Sequence, residues 1–138
     1  MNIGNLNIEL GWIFMLLGIT SGSILGMWSF GGPFKAPKNY ESYDSLPRRL
    51  TRLAHVACFM LPLINIVYGE HLDHLPISDG MKYLGSYMMI ILMIGIPLFL
   101  FMASFKNIYK YLNVIPVSCG FVGLGIMAYG NLILLMRH

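Results

Sequence analysis

Apolar residues in this chain gather into four long runs, and charged residues fall between the runs and almost never within them. The runs lie near residues 10–30, 50–69, 83–105 and 112–136. Each approaches or exceeds the roughly 20 residues a helix needs to cross about 30 Å of hydrocarbon. No ten-residue alternating pattern suggests a barrel, and an unpaired backbone group in lipid costs several kcal/mol, so every span is expected to be helical. The second run is the shortest in apolar content, and it reaches full length only by taking in the amphipathic approach from Arg48 onward. The first run has no Lys or Arg before it and no small-residue cleavage site after it, so it is expected to stay and not to be removed as a signal peptide. These patterns predict an all-α integral membrane four-helix bundle, one transmembrane domain over residues 1–138.

Composition strengthens that reading. The chain is 57% hydrophobic and 11% charged, against about 25% charged in ordinary soluble domains. A water-soluble fold of this size could not hide so much apolar surface. Lys35, Lys38, Arg48, Arg49 and Arg52 lie in the first loop and Lys106 and Lys110 in the third, leaving only Lys82 and Arg137 elsewhere. The positive-inside rule then puts those two loops in the cytoplasm and both termini outside, in what is expected to be a bacterial inner (cytoplasmic) membrane. The net charge of +3 is a property of the inner face, so no nucleic-acid partner is expected. Cys58 and Cys119 both fall inside predicted spans, where a thiol acts as a small apolar group, and no disulfide is expected.

The first span carries Gly18, Gly22 and Gly26 four apart, with Gly11 seven before Gly18. Glycine on one face lets two helix backbones approach closely, which matters in lipid, where no hydrophobic drive brings helices together. The fourth span, with Gly120, Gly123, Gly125, Ala128 and Gly130, is the candidate partner within the chain, and another subunit is the alternative. Two glycine-rich helices in so small a bundle also predict grooves that a lipid tail or a large cofactor could occupy.

In SLPRRLTRLAH, Ser45 or Asp44 can cap a helix and Pro47 suits its first turn, while Arg48, Arg52 and His55 share one face. That helix is expected to lie on the membrane surface or to feed directly into the second span. The bland reading of its arginines is an interface anchor reaching for phosphates. The functional readings are an anionic lipid site, a quinone or haem propionate site, or a docking point for a soluble partner. His55 is a candidate haem ligand or proton-handling group, because ionisable groups inside spans are costly. A bis-histidine haem needs a second histidine at that depth, and the other three, His71, His74 and His138, lie towards the opposite side. His71 and His74, with Glu70, Asp73 and Asp79 nearby, suggest zinc or copper only weakly, so no metal site is assigned and a solvated loop is expected. Pro62 and Pro97 should kink their helices and free carbonyls, which Asn65 or a partner helix can satisfy. No span contains an acidic residue, which disfavours a cation carrier, and no catalytic set of residues is present.

The segment YDSLPRRLTRLAHVACFMLPLINIVYG, residues 43–69, resembles small bacterial four-helix membrane proteins that carry a Tyr-x-Ser, Arg-Arg-x-x-Arg-Leu-x-His pattern. The matching residues are Tyr43, Ser45, Arg48, Arg49, Arg52, Leu53, His55, Phe59 and Asn65. The resemblance implies a role for the Arg–His segment beyond anchoring and brings no activity with it.

The expectation is a non-catalytic accessory subunit of a larger membrane complex, respiratory or electron-transferring, with the lipid bilayer and other membrane subunits as partners and no cofactor of its own. The alternatives are a haem b or quinone carrier using His55, Arg48 and Arg52, and a small transporter or lipid-binding protein.

Overall fold

The computed structural model describes residues 2–28 and 32–137. Its four long helices are α1 (Asn5–Met27), α2 (Leu46–Leu72), α3 (Asp79–Phe105) and α4 (Val114–Met136), with short 3₁₀ turns at Lys38–Tyr40 and Asn107–Asn113. Four helices are long and apolar enough to cross a membrane, the last with its preceding 3₁₀ segment. The bundle is built in chain order: α1 packs on α2, α2 on α3 and α3 on α4, with a smaller contact between α1 and α3. No comparable packing joins α1 to α4 among the described residues.

The helices exceed the apolar runs because polar residues extend them. The first helix starts at Asn5, five residues before its run, and its N-cap Gly4 has no side chain to cap with. Instead the Asp73 carboxylate, in the α2–α3 turn, accepts from the backbone amides of Ile3 and Gly4, both at 3.0 Å. This places a negative charge at the positive end of the helix and satisfies two of the donors there. Residues 29 and 30, the expected end of the first span, lie outside the described residues.

The amphipathic approach feeds straight into the second span, so α2 is one 27-residue helix and the surface-helix alternative is not seen. Ser45 is its N-cap residue, but the side chain makes no capping bond and its Oγ is buried without a partner. Pro47 explains this in part: it occupies the second helical position, where it has no amide hydrogen for a capping oxygen to accept. In α3, Ser78 does cap, accepting from the Met81 amide at 3.4 Å.

The glycine faces find partners other than the expected ones. Gly11 and Gly18 of α1 meet α2, not α4: a Cβ on Gly11 would come within 3.0 Å of the Pro62 carbonyl oxygen, and one on Gly18 within 2.9 Å of the Cys58 carbonyl oxygen. Pro62 has no N–H to give that Cys58 carbonyl, which faces Gly18 across the seam instead. Gly120 and Gly123 of α4 receive the Leu92 and Met89 side chains of α3. Among the described residues a Cβ on Gly26 would meet nothing within 4 Å, and Gly125 is likewise open. Periodicity put these residues on a face, but a face has a partner only where a neighbouring helix runs alongside it.

The tightest packing lies where α2 turns into α3. Gly4 and Gly69 cross backbone to backbone: a Cβ on Gly69 would lie 2.5 Å from the Gly4 carbonyl oxygen. Tyr68, Leu72, Leu75 and Met89 form the buried core beside this crossing, and the Tyr68 hydroxyl donates to the Gly123 carbonyl at 3.1 Å, tying α2 to α4. The turn expected to be a solvated polar loop is therefore partly core, with Leu72 fully buried and Asp73 engaged on α1.

Candidate functional site

Two groups of polar side chains lie inside the bundle, and they differ in whether their hydrogen-bonding capacity is used up. The first joins α1, α2 and α3. Asn7 Nδ2 donates to Asn65 Oδ1 at 2.8 Å and to the Ser86 carbonyl at 3.2 Å. Asn65 Nδ2 donates to the carbonyls of Met89 at 3.0 Å and Leu61 at 3.3 Å. The Ser86 hydroxyl donates to Asn7 Oδ1. Asn7 and Asn65 are both fully buried, and every side-chain hydrogen of the three residues is placed. Such a cluster holds helices together and has nothing left to offer a ligand.

The second group is His55 with Ser21. His55 sits one helical turn beyond Thr51 on α2 and turns towards α1, where its Nδ1 lies 3.0 Å from Ser21 Oγ. Its ring meets Phe59 edge-on with centroids 5.3 Å apart. A Cβ on Gly22 would lie 2.5 Å from the His55 Cε1, so Gly22 serves as the seat of an imidazole and not as a contact between backbones. Ser21 Oγ also lies 2.8 Å from the Gly18 carbonyl, to which it donates. The hydroxyl has one hydrogen. If it goes to Gly18, Nδ1–H of His55 donates to Oγ and two bonds form. If it goes to Nδ1, the Gly18 bond is lost and one forms. Each bond is worth about 0.5–1.5 kcal/mol net, so the count assigns the proton to Nδ1 and leaves Nε2 a bare acceptor. Among the described residues Nε2 has no hydrogen-bond partner, and it is not sealed inside the protein.

His55 and Ser21 line a cavity of about 600 Å³, which is floored by α2 and flanked by α1 and α3. Phe14 and Trp28 mark its extent along α1, roughly 21 Å at 1.5 Å per residue. Pro97 and Phe101 of α3 form part of the opposite wall, and among the described residues no Lys, Arg, Asp or Glu lines it. The volume lies within the range of about 300–1,000 Å³ usual for small-molecule sites. Of its other polar residues, Thr51 gives its hydroxyl hydrogen to the Pro47 carbonyl at 2.9 Å, and Cys58 is a free thiol.

The arginines expected beside His55 face elsewhere. The guanidinium of Arg52 lies over the Tyr43 ring at 3.7 Å from the centroid and that of Arg48 at 5.4 Å. Arg48 also donates to the carbonyls of Tyr40 and Glu41, each at 3.2 Å. Both guanidinium groups thus gather the first loop onto α2, and neither residue lines the large cavity. Tyr40 from that loop is buried, its hydroxyl 2.9 Å from Ser104 Oγ of α3 and its ring 5.9 Å from that of Trp28, so the loop closes this end of the bundle.

Among the described residues no group of three His, Cys, Asp or Glu side chains is placed to hold a metal ion. His71 bonds to the Val67 carbonyl at 2.9 Å, and it lies about 24 Å along α2 from His55. His138 lies outside the described residues. Cys58 and Cys119 are both free thiols. Sequence reasoning singled out His55 and Gly22 separately and missed that one seats the other. It missed Asn7 altogether, and it named Asp73 only beside His71 and His74 and not as the cap of α1, since both lie outside the apolar runs. No family model, curated protein or solved structure matches this chain.

Proposed function

We propose that this protein is a non-catalytic membrane subunit that holds a quinone-type carrier in the cavity beside His55, within an electron-transferring assembly of the bacterial inner membrane. The observation that carries the reading is a histidine that lines a long apolar cavity and keeps one ring nitrogen without a partner among the described residues. An isoprenoid quinone has the matching form, a neutral ring with oxygen at its edge and a greasy tail to fill the rest. A phospholipid matches less well, because no cationic side chain lines the cavity to meet its phosphate. Haem b matches less well too, since the lining contains no second histidine and no methionine to complete axial ligation. The role of subunit is supported by the form of the cavity, which has helices on two sides and a floor, leaving a lateral side for a neighbouring chain or the lipid to cover. With the first and third loops in the cytoplasm, as their basic residues suggest, His55 lies in the inner half of the bilayer.

The test is to purify the protein from native membranes in mild detergent, extract it with organic solvent and identify the lipids by mass spectrometry. An isoprenoid quinone near one per chain, sharply reduced in His55→Ala, is the expected result. A Soret band lost in His55→Ala would establish the haem reading instead, and phospholipid alone would overturn the quinone assignment.

A further inference from the structure

We infer that Ser21 makes the cavity selective for the reduced, hydroxyl-bearing form of its occupant, a hydroquinone, over the oxidised quinone. This rests on the quinone reading above. The two forms differ in what they present at the ring edge: a hydroquinone offers O–H donors, and a quinone offers only carbonyl acceptors. A site distinguishes them by which of its own groups still carries a free hydrogen.

Among the described side chains that line the cavity near His55, no strong donor remains. The Ser21 hydroxyl hydrogen is on the Gly18 carbonyl and the Thr51 hydroxyl hydrogen is on the Pro47 carbonyl. The imidazole hydrogen is on Nδ1, held there by Ser21 Oγ, and Nε2 presents a lone pair. Thr51 and His55 are four residues apart on one face of α2, and both line the cavity. Cys58 adds a weak S–H donor. The indole N–H of Trp28 is the remaining donor among the described lining residues, but it lies seven residues from Ser21, about 10 Å along α1, beyond reach of a ring seated at His55. A quinone carbonyl at Nε2 would face lone pair to lone pair in an apolar cavity, and such unpaired polar groups are costly there. Binding a quinone requires either the other tautomer, which gives up one of the two Ser21 bonds, or a charged imidazole. Ser21 is thus a positioning residue, acting through the imidazole without touching the occupant. No electron transfer within this chain is implied.

The experiment measures equilibrium binding of a decyl-chain benzohydroquinone and of its oxidised form to the protein in nanodiscs, without oxygen, by quenching of Trp fluorescence. Wild type should bind the hydroquinone about fivefold to tenfold more tightly, the ratio that one hydrogen bond supports. In Ser21→Ala the Nδ1 proton has no acceptor to hold it, and the ratio should fall to about twofold or less, mostly through better binding of the oxidised form. Ser21→Thr, which keeps the hydroxyl, should restore the preference. If Ser21→Ala weakens both forms equally, Ser21 only supports packing and the selectivity claim is overturned. Equal binding by wild type, or preference for the oxidised form, overturns it while the quinone reading stands. Binding of neither form overturns both.

Discussion

At the end of the bundle where α2 turns into α3, Asn7, Asn65 and Ser86 bring three helices together and spend every side-chain hydrogen on one another or on backbone carbonyls. Towards the other end, Ser21 and His55 also join two helices, yet one ring nitrogen is left over and a cavity of about 600 Å³ opens beside it. Both groups are polar residues in an apolar setting, and both are flanked by glycines. Residue type alone would rate them alike. What separates them is the balance of donors and acceptors, since a closed set does structural work whereas an open one is available to a ligand.

Substitutions can break that comparison. The largest effect is expected at Asn65. Asn65→Leu removes three bonds and leaves buried Asn7 short of a partner, which should lower the unfolding free energy in an SDS titration by about 3 kcal/mol. His55→Leu should cost about 1 kcal/mol or less in the same titration, because its ring already lies beside a cavity and has one protein bond to lose. If the two variants proved equally destabilising, the division into a closed and an open end would be lost.

A smaller effect sharpens the role of the glycines. Gly4→Ala sets a Cβ against the Gly69 carbonyl, which as backbone cannot swing away, and should cost about 2 kcal/mol. Gly22→Ala meets a side chain, the His55 ring, which can move. Its cost in stability should be about 0.5–1 kcal/mol, but the displaced imidazole should lose its bond to Ser21 and with it the proposed quinone. Mass spectrometry of extracted lipids on both variants checks this, and retention of the occupant in Gly22→Ala would show that the ring position is immaterial.

The smallest effect is expected at Gly26, which repeats the same four-residue spacing with nothing within 4 Å among the described residues. Gly26→Leu should change stability by no more than about 0.5 kcal/mol. A loss as large as that of Gly4→Ala would mean that an unseen partner chain packs there.

The legible part of the sequence was the part that repeats. Four apolar runs identified the four helices, because lipid imposes a length on every span. The spacing of Gly11, Gly18 and Gly22 marked a face, and Pro62 with Asn65 marked a site of broken helix bonds. The illegible part was pairing over long separations. Asn7 reads as a polar residue ahead of the first run until Asn65 and Ser86 are beside it. Asp73 reads as a turn residue until the start of α1 is found against it. Nothing in the local pattern distinguishes Gly22, which seats a ring, from Gly26, which seats nothing, and Arg48 and Arg52 share a helix face with His55 but gather the loop through Tyr43. Composition reports the solvent that a segment will meet, and only the assembled chain reports its neighbours.

The carboxylate of Asp73, 70 and 69 residues downstream of the two amides it caps, also imposes an order in time. At a synthesis rate of roughly 5–20 residues per second, the start of α1 waits about 4–14 s for that carboxylate to be made. Asn7 waits longer, because its partner Ser86 is 79 residues away. Of these four helices the one made first is therefore among the last to be completed. During that interval it sits with a polar amide unmatched and its glycine face uncovered, in need of an insertion machinery or another chain to shelter it until the second hairpin of the protein arrives.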